Sequence, residues 1–357
     1  MKSSNIYLLL FAIIYSSLSF AQDMVSTSRL SQRATITQRL GSTDITITYH
    51  SPNVQGRKIF GGIVPYDFIV DGKEYPWRAG SNQNTTFEFT HDVKINGRQL
   101  AAGTYGFHIF VSKNIWTLIF SNVSDGWGSF GYDKDQDALR VDVHPESSEF
   151  QEWLSYDFVD RKAESAAVEL KWERTLVKFV ISTDVHQNIL NDLLEKEERS
   201  GEDFLTIANM YYQLDPIDLN QTLNYLDSSI SIEPHFRNQV FKADVLLESG
   251  NTKEGQKLKD YAMTLAKDFD WYYYGLSHYL LHEDKDEAFS VLSQNIKQNP
   301  ENWSAYLAMG EFYIRSGNQK KVVENLKKAY ELAGERSKNY ARYMYYSNKL
   351  ILENQEK

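Results

Sequence analysis

The chain has 357 residues, 48 acidic and 38 basic side chains, a net charge of −10 and no cysteine. That length holds two domains and a core that needs no disulfide, and the missing thiols exclude cysteine nucleophiles, thiolate metal sites and disulfide exchange. From Thr183 onward 28 acidic residues stand against 20 basic ones, which argues against a nucleic-acid partner because basic patches must displace its counterions.

The chain opens Met1-Lys2, followed by an apolar run from Ile6 to Leu18 and then Ser19-Phe20-Ala21. A basic start, a short apolar stretch and small residues at the break predict a signal peptide over 1–21, cut between Ala21 and Gln22. The run falls short of the roughly 20 residues a bilayer span demands. No later segment is apolar enough to cross a membrane, so a periplasmic or extracellular protein with no transmembrane segment after cleavage is expected.

Up to Ser182 the apolar residues recur with period two. Ile45, Ile47 and Tyr49 alternate with Thr46, Thr48 and His50, and the pattern returns at Phe87 and Phe89. Further runs are Phe107, Ile109 and Val111; Trp116, Leu118 and Phe120; Val168, Leu170 and Trp172; and Val177, Phe179 and Ile181. One apolar face per strand predicts antiparallel sheets over a shared core. Asp71-Gly72, Asn96-Gly97, Ala102-Gly103 and Asp125-Gly126 punctuate the runs, and Asn96-Gly97 carries the chemistry of a tight hairpin. Residues 22–183 therefore read as a β-sandwich or jelly-roll-like domain of about ten short strands.

From Asp184 the period becomes helical, with apolar residues three and four apart in Phe204 to Tyr212, Leu223 to Ile232 and Val322 to Leu332. A longer repeat lies over it. Asn302 to Gly334 resembles a tetratricopeptide repeat: Tyr306, Met309, Gly310 and Tyr313 on the first helix, Gly317 at the turn, and Val322, Leu326 and Ala329 on the second. A unit from Phe269 to Pro300 has Tyr272, Gly275, Tyr279, Ala288 and Leu292 in matching places. An earlier unit ends at Ile232-Glu233-Pro234 with Ala208, Tyr211 and Leu226 inside, and Val240 to Lys267 matches more weakly through Ala243, Gly250 and Ala262. Residues 184–357 thus read as an α-helical tetratricopeptide-like solenoid of four stacked hairpins, closed by a capping helix over Lys338 to Glu353. Such arrays bind peptides or partner proteins on their concave face.

Several motifs in the first half resemble an exported bacterial family, domain of unknown function 2911. They are Ser51-Pro52-Asn53-Val54-Gln55-Gly56-Arg57-Lys58-Ile59-Phe60-Gly61, Val64-Pro65-Tyr66, Trp77-Arg78-Ala79-Gly80-Ser81-Asn82 and Leu100-Ala101-Ala102-Gly103-Thr104-Tyr105. Trp116-Thr117-Leu118-Ile119-Phe120, Trp127-Gly128 and Leu139-Arg140-Val141 follow in order, so the likeness covers Arg29 to Thr183. The family places an acidic residue where this chain has Gln83, and the stretch Asp67 to Pro76 is longer than its pattern. The resemblance implies the domain boundary and an exported setting, and assigns no chemistry.

No nucleophile elbow, phosphate-cradling glycine loop, His-Glu-x-x-His or calcium loop occurs. Arg57, Lys58, Arg78 and Asn82 lie in turn-rich segments beside Gly56, Gly61, Gly62 and Gly80, where a backbone can approach a ligand. An Arg with an Asn suits a carboxylate, a sulfate or a pair of sugar hydroxyls. The plainer reading has Arg78 holding strand-end carbonyls or pairing with Asp67 or Asp71. Tyr66, Trp77 and Trp127 offer an aromatic platform for a sugar ring, or else core. His50, His91 and His108 raise a zinc site and His278 with His282 a two-ligand site, against isolated imidazoles; no metal or other cofactor is expected. Asp133, Asp135 and Asp137 lack the central Gly and closing Glu of a cation loop, and read as a solvated turn.

The resulting expectation is an exported binding or scaffold protein of the bacterial envelope. Its β-domain would bind a small molecule or glycan through Arg57, Lys58, Tyr66, Trp77, Arg78, Asn82, His108 and Trp127, and its helices a partner protein or peptide. The alternative is a hydrolase of envelope or imported carbohydrate, which requires Arg57, Arg78 and His108 to share one pocket. A third reading is a folding module without a ligand.

Overall fold

The computed structural model describes residues 30–266, 270, 274–275 and 285–355. The predicted leader and its cut site, Phe269, the Trp271 to Tyr273 run, Tyr279, His278 and His282 lie outside those residues. The chain divides into two compact units, the first reaching to Ile189 and the second starting at Leu190.

In the first unit twelve strands are described. Six form one antiparallel sheet in the order β1 (Gln32–Leu40), β2 (Thr43–Ser51), β5 (Thr85–Phe89), β8 (Gly103–Val111), β9 (Trp116–Ser121), β10 (Asp137–Val143). Four form a second, in the order β11 (Glu146–Val159), β12 (Ser165–Ser182), β6 (Val93–Ile95), β7 (Arg98–Leu100), and β3 (Ile69–Val70) with β4 (Lys73–Glu74) make a separate ribbon. Every predicted inward residue of the alternating runs is buried. The two large sheets meet face to face through aromatic side chains. Phe179 of β12 lies 6.0 Å from both Phe87 and Phe107, and Tyr156 of β11 lies 4.8 Å from Tyr49. The fold is an antiparallel β-sandwich.

Asn96 and Gly97 both take positive φ, 47° and 82°, and turn β6 into β7 as their chemistry predicts. Asp71-Gly72 does the same for β3 and β4, so the long stretch from Asp67 to Pro76 is a small hairpin. The two late runs are one strand. Val168, Leu170 and Trp172 have even numbers, Val177, Phe179 and Ile181 odd ones, yet all six face the same core. A strand changes parity only by inserting a residue, and the β11–β12 register slips there, with Glu173 at φ 57°.

In the second unit the helices pair as α2 (Gly201–Tyr212) with α3 (Leu219–Ile232), α4 (Phe236–Glu248) with α5 (Thr252–Leu265), and α7 (Trp303–Ser316) with α8 (Gln319–Leu332). Helix α1 (Val185–Glu195) precedes them. Helix α6 (Lys285–Gln298) packs Leu292 onto Gly275, and α9 (Glu335–Gln355) closes the array against α8. Gly310 lets α8 come close: a Cβ there would stand 2.7 Å from Leu326 Cδ2. Consecutive hairpins are joined by a buried polar link. Asn238 Nδ2 donates to Ser229 Oγ (3.0 Å) and to Glu233 O (2.9 Å), while Ser229 Oγ donates to Gly201 O (2.7 Å). Of the tyrosine-rich stretch at the end, Met344 and Tyr345 pack inward while Tyr343 and Tyr346 are exposed.

Candidate functional site

Directly opposed residues on adjacent strands share a face. Phe107, Phe120 and Leu139 oppose one another and fill the core, so the neighbouring row His108, Ile119 and Arg140 faces outward. Loops between β2 and β5 and between β9 and β10 fold over that outer face. Where β5 ends, Trp77 takes its place beside β8, exchanging backbone hydrogen bonds with Ile109 at 2.8 and 2.7 Å. Antiparallel geometry then turns Trp77 inward and sets Arg78 opposite His108 on the outer side. Trp77 stacks on Trp172 (5.7 Å, 20°) and donates from Nε1 to Gly80 O.

Arg78 is half-buried, and its Nη1 donates to Asn82 O at 2.6 Å. No carboxylate pairs with it among the described residues, so the expected partners Asp67 and Asp71 are not used. Asn82 holds its own loop, with φ 59° and Nδ2 donating to Ser31 O. His108 is 3% exposed. With the Asn84 amide placed to donate to Gly128 O (2.9 Å) and Gly126 O (3.3 Å), its oxygen end lies 3.4 Å from His108 Nε2. That contact puts the proton on Nε2 and leaves the buried Nδ1 without a hydrogen bond. Burial, and then the nearby Arg78 charge, lower the imidazole pKa to about 4. Gly106 makes room for this arrangement, since a Cβ there would fall 2.1 Å from Val123 O and 3.0 Å from the Asn84 amide.

Beside this pair runs a charged network. Asp137 Oδ2 accepts from Tyr132 Oη (2.6 Å) and Arg140 Nη1 (2.9 Å), while Glu74 accepts from Arg140 Nη2 (2.9 Å) and Lys134 Nζ (3.0 Å). Asp137 is therefore no part of a solvated turn: its side chain is 5% exposed, and burial raises its pKa despite those bonds. Only Asp133 does turn work, capping a short 3-10 helix through Asp135 N.

A cavity of about 280 Å³ opens next to Arg78, walled by Ile63, Val64, Phe68, Phe110 and Phe130. Trp77 and Arg78 line it; Arg57, Lys58, Tyr66, Asn82, His108 and Trp127 do not. Arg57 is exposed and commits its guanidinium to Val54 O (2.9 Å) and Asn53 O (2.6 Å), holding a turn. Lys58 is exposed beside it, Tyr66 covers Gly61, and Trp127 is 53% exposed where Gln83 bridges to it. Among the described residues no carboxylate or imidazole lines the cavity, so they do not assemble there the constellation a hydrolase requires. Nor, among the described residues, do three His, Cys, Asp or Glu side chains converge as a metal site. Asn84, Glu74 and Tyr132 were missed from sequence, because no local pattern marks a residue whose partners lie on distant loops.

In the second unit a groove of about 530 Å³ runs along the first helices of successive hairpins. Tyr212 of α2, Phe236, Val240 and Phe241 of α4, and Tyr274 supply its apolar surface. Asp244, Glu248 and Asp270 give it acid, with Tyr212 Oη donating to Glu248 and Tyr274 Oη to Asp244 (3.3 Å). Burial first, then these carboxylates, raise the pKa of both phenols.

Residues 31–181 match the family model described as protein of unknown function (DUF2911). The β-rich half is a DUF2911 domain. Solved structures of MamA align with part of the chain. One crystal structure is 18% identical over 42% of this chain and 86% of its own, with a TM-score of 0.23. MamA 41-end from Desulfovibrio magneticus RS-1 is 21% identical over 43% and 87%, with a TM-score of 0.24. Likeness at that level carries no argument about function. No curated protein matches the chain. Among the described residues no helix is long and apolar enough to cross a membrane.

Proposed function

We propose that this is an exported scaffold protein of the bacterial envelope, whose helical hairpins hold an extended segment of a partner protein and whose DUF2911 domain takes a small ligand. The observation that carries the reading is the groove on α2 and α4. It joins aromatic surface to three carboxylates, against the one cation Arg237 among the described lining residues, along the first helices of successive hairpins. Such a surface favours an extended peptide with basic residues next to apolar ones. The exported setting rests on the leader pattern of residues 1–21.

Fluorescence polarisation of the full chain against extended peptides graded in charge and aromatic content tests the scaffold role. Basic, aromatic peptides should bind, and both Phe241→Asp and Asp244→Lys should weaken them at least tenfold. Equal indifference to every peptide in the series would sink the reading.

A further inference from the structure

Among the described residues Arg78 is the one charged side chain lining the cavity of the DUF2911 domain, and most of the side chains around it are apolar. Its Nη1 is engaged with Asn82 O, while Nε and Nη2 donate to nothing among the described residues. Those two groups form the side-on edge of a guanidinium, the edge that grips a carboxylate with two parallel hydrogen bonds. A half-buried cation without a counter-ion is costly, and an anion placed against it is the ordinary remedy.

We propose that this cavity binds a small monocarboxylate with an aryl or branched aliphatic body, its carboxylate on Arg78 and its body against Phe68, Phe110 and Phe130. This rests on reading the domain as a ligand-binding module, and narrows it to one chemical class. A glycan fits poorly: Ser129 gives its hydroxyl to Pro76 O, and among the described residues no amide or carboxylate side chain lines the cavity to meet sugar hydroxyls. A phosphate fits poorly as well, because a dianion needs a second cation and the described lining residues supply none. The volume of about 280 Å³ suits a body of one aromatic ring with a short arm.

Titration calorimetry on the full chain would compare 3-phenylpropionate with 3-phenylpropionamide, inorganic phosphate and cellobiose. The carboxylate should bind, and the amide, which keeps the shape and loses the charge, at least tenfold more weakly. Arg78→Gln should abolish that preference, and Phe130→Ser, at a rim residue 82% exposed, should weaken the carboxylate severalfold without disturbing the fold. Arg78 also steadies Asn82, so the comparison of acid with amide in the unaltered protein decides the matter even if Arg78→Gln folds poorly. Equal binding of acid and amide, or binding of cellobiose alone, would overturn the carboxylate class while leaving a ligand-binding domain. Heat from none of the four would overturn both.

Discussion

Arg78 stands opposite His108 on the outer face of the six-stranded sheet, a cation set against an imidazole that is neutral in the fold. The pairing follows from one backbone bridge, Trp77 to Ile109, which turns Trp77 into the core and its neighbour outward. It also makes His108 a proton sink that opens only on unfolding.

The folded His108 pKa of about 4 lies below the ordinary 6.5, so the unfolded chain binds the proton first as pH falls. Its contribution to stability is whole above pH 6.5 and is lost progressively down to pH 4, about 3 kcal/mol in all. Urea unfolding at steps between pH 7 and 4 should show this slope in the native sequence. His108→Gln should lack that component while keeping the acid sensitivity of the carboxylates.

Glu173 occupies left-handed backbone, φ 57°, at the irregularity in β12. Glu173→Gly should stabilise the domain by about 1 kcal/mol, because glycine accepts that conformation without a Cβ clash. Thr175→Gly, two residues on in the same strand, should instead cost about 1 kcal/mol. Thermal unfolding of both variants distinguishes a local strain from a general tolerance of glycine.

Leu326 is fully buried and lies over Gly310 at the crossing of α7 and α8. Leu326→Ala should cost about 3 kcal/mol by opening a cavity between the paired helices. Calorimetry should show the loss, and hydrogen exchange should place it in α7 to α9.

Asn238 is fully buried and ties α4 to Ser229 and Glu233 of the preceding hairpin. Asn238→Ala should cost about 2 kcal/mol, since the buried Ser229 hydroxyl and the Glu233 carbonyl lose a donor. Limited proteolysis should then cut first in the link from Ile232 to Phe236.

Much of the fold was legible from residue patterns. Ile45, Ile47 and Tyr49 named their own inward face, Asn96-Gly97 its own turn, and Gly310 with Leu326 their own helical crossing. Each signal sits within a few residues of what it dictates. The candidate site was legible only in part. Trp77 and Arg78 line the cavity, whereas Arg57 holds a turn, and Asp137, taken for solvent-facing, is buried against Tyr132 and Arg140.

The sequence by itself determined the two periodicities, the switch between Ser182 and Val185, and which side of each strand or helix is apolar, because backbone geometry repeats every two or 3.6 residues. Only the tertiary structure decided that Arg78 meets His108 and an apolar cavity, that Glu74 reaches Arg140 across 66 residues, and that successive helices align Tyr212, Phe241 and Asp244 in one groove. Those meetings depend on which distant loops the strand order brings over the same face, and no local period encodes strand order.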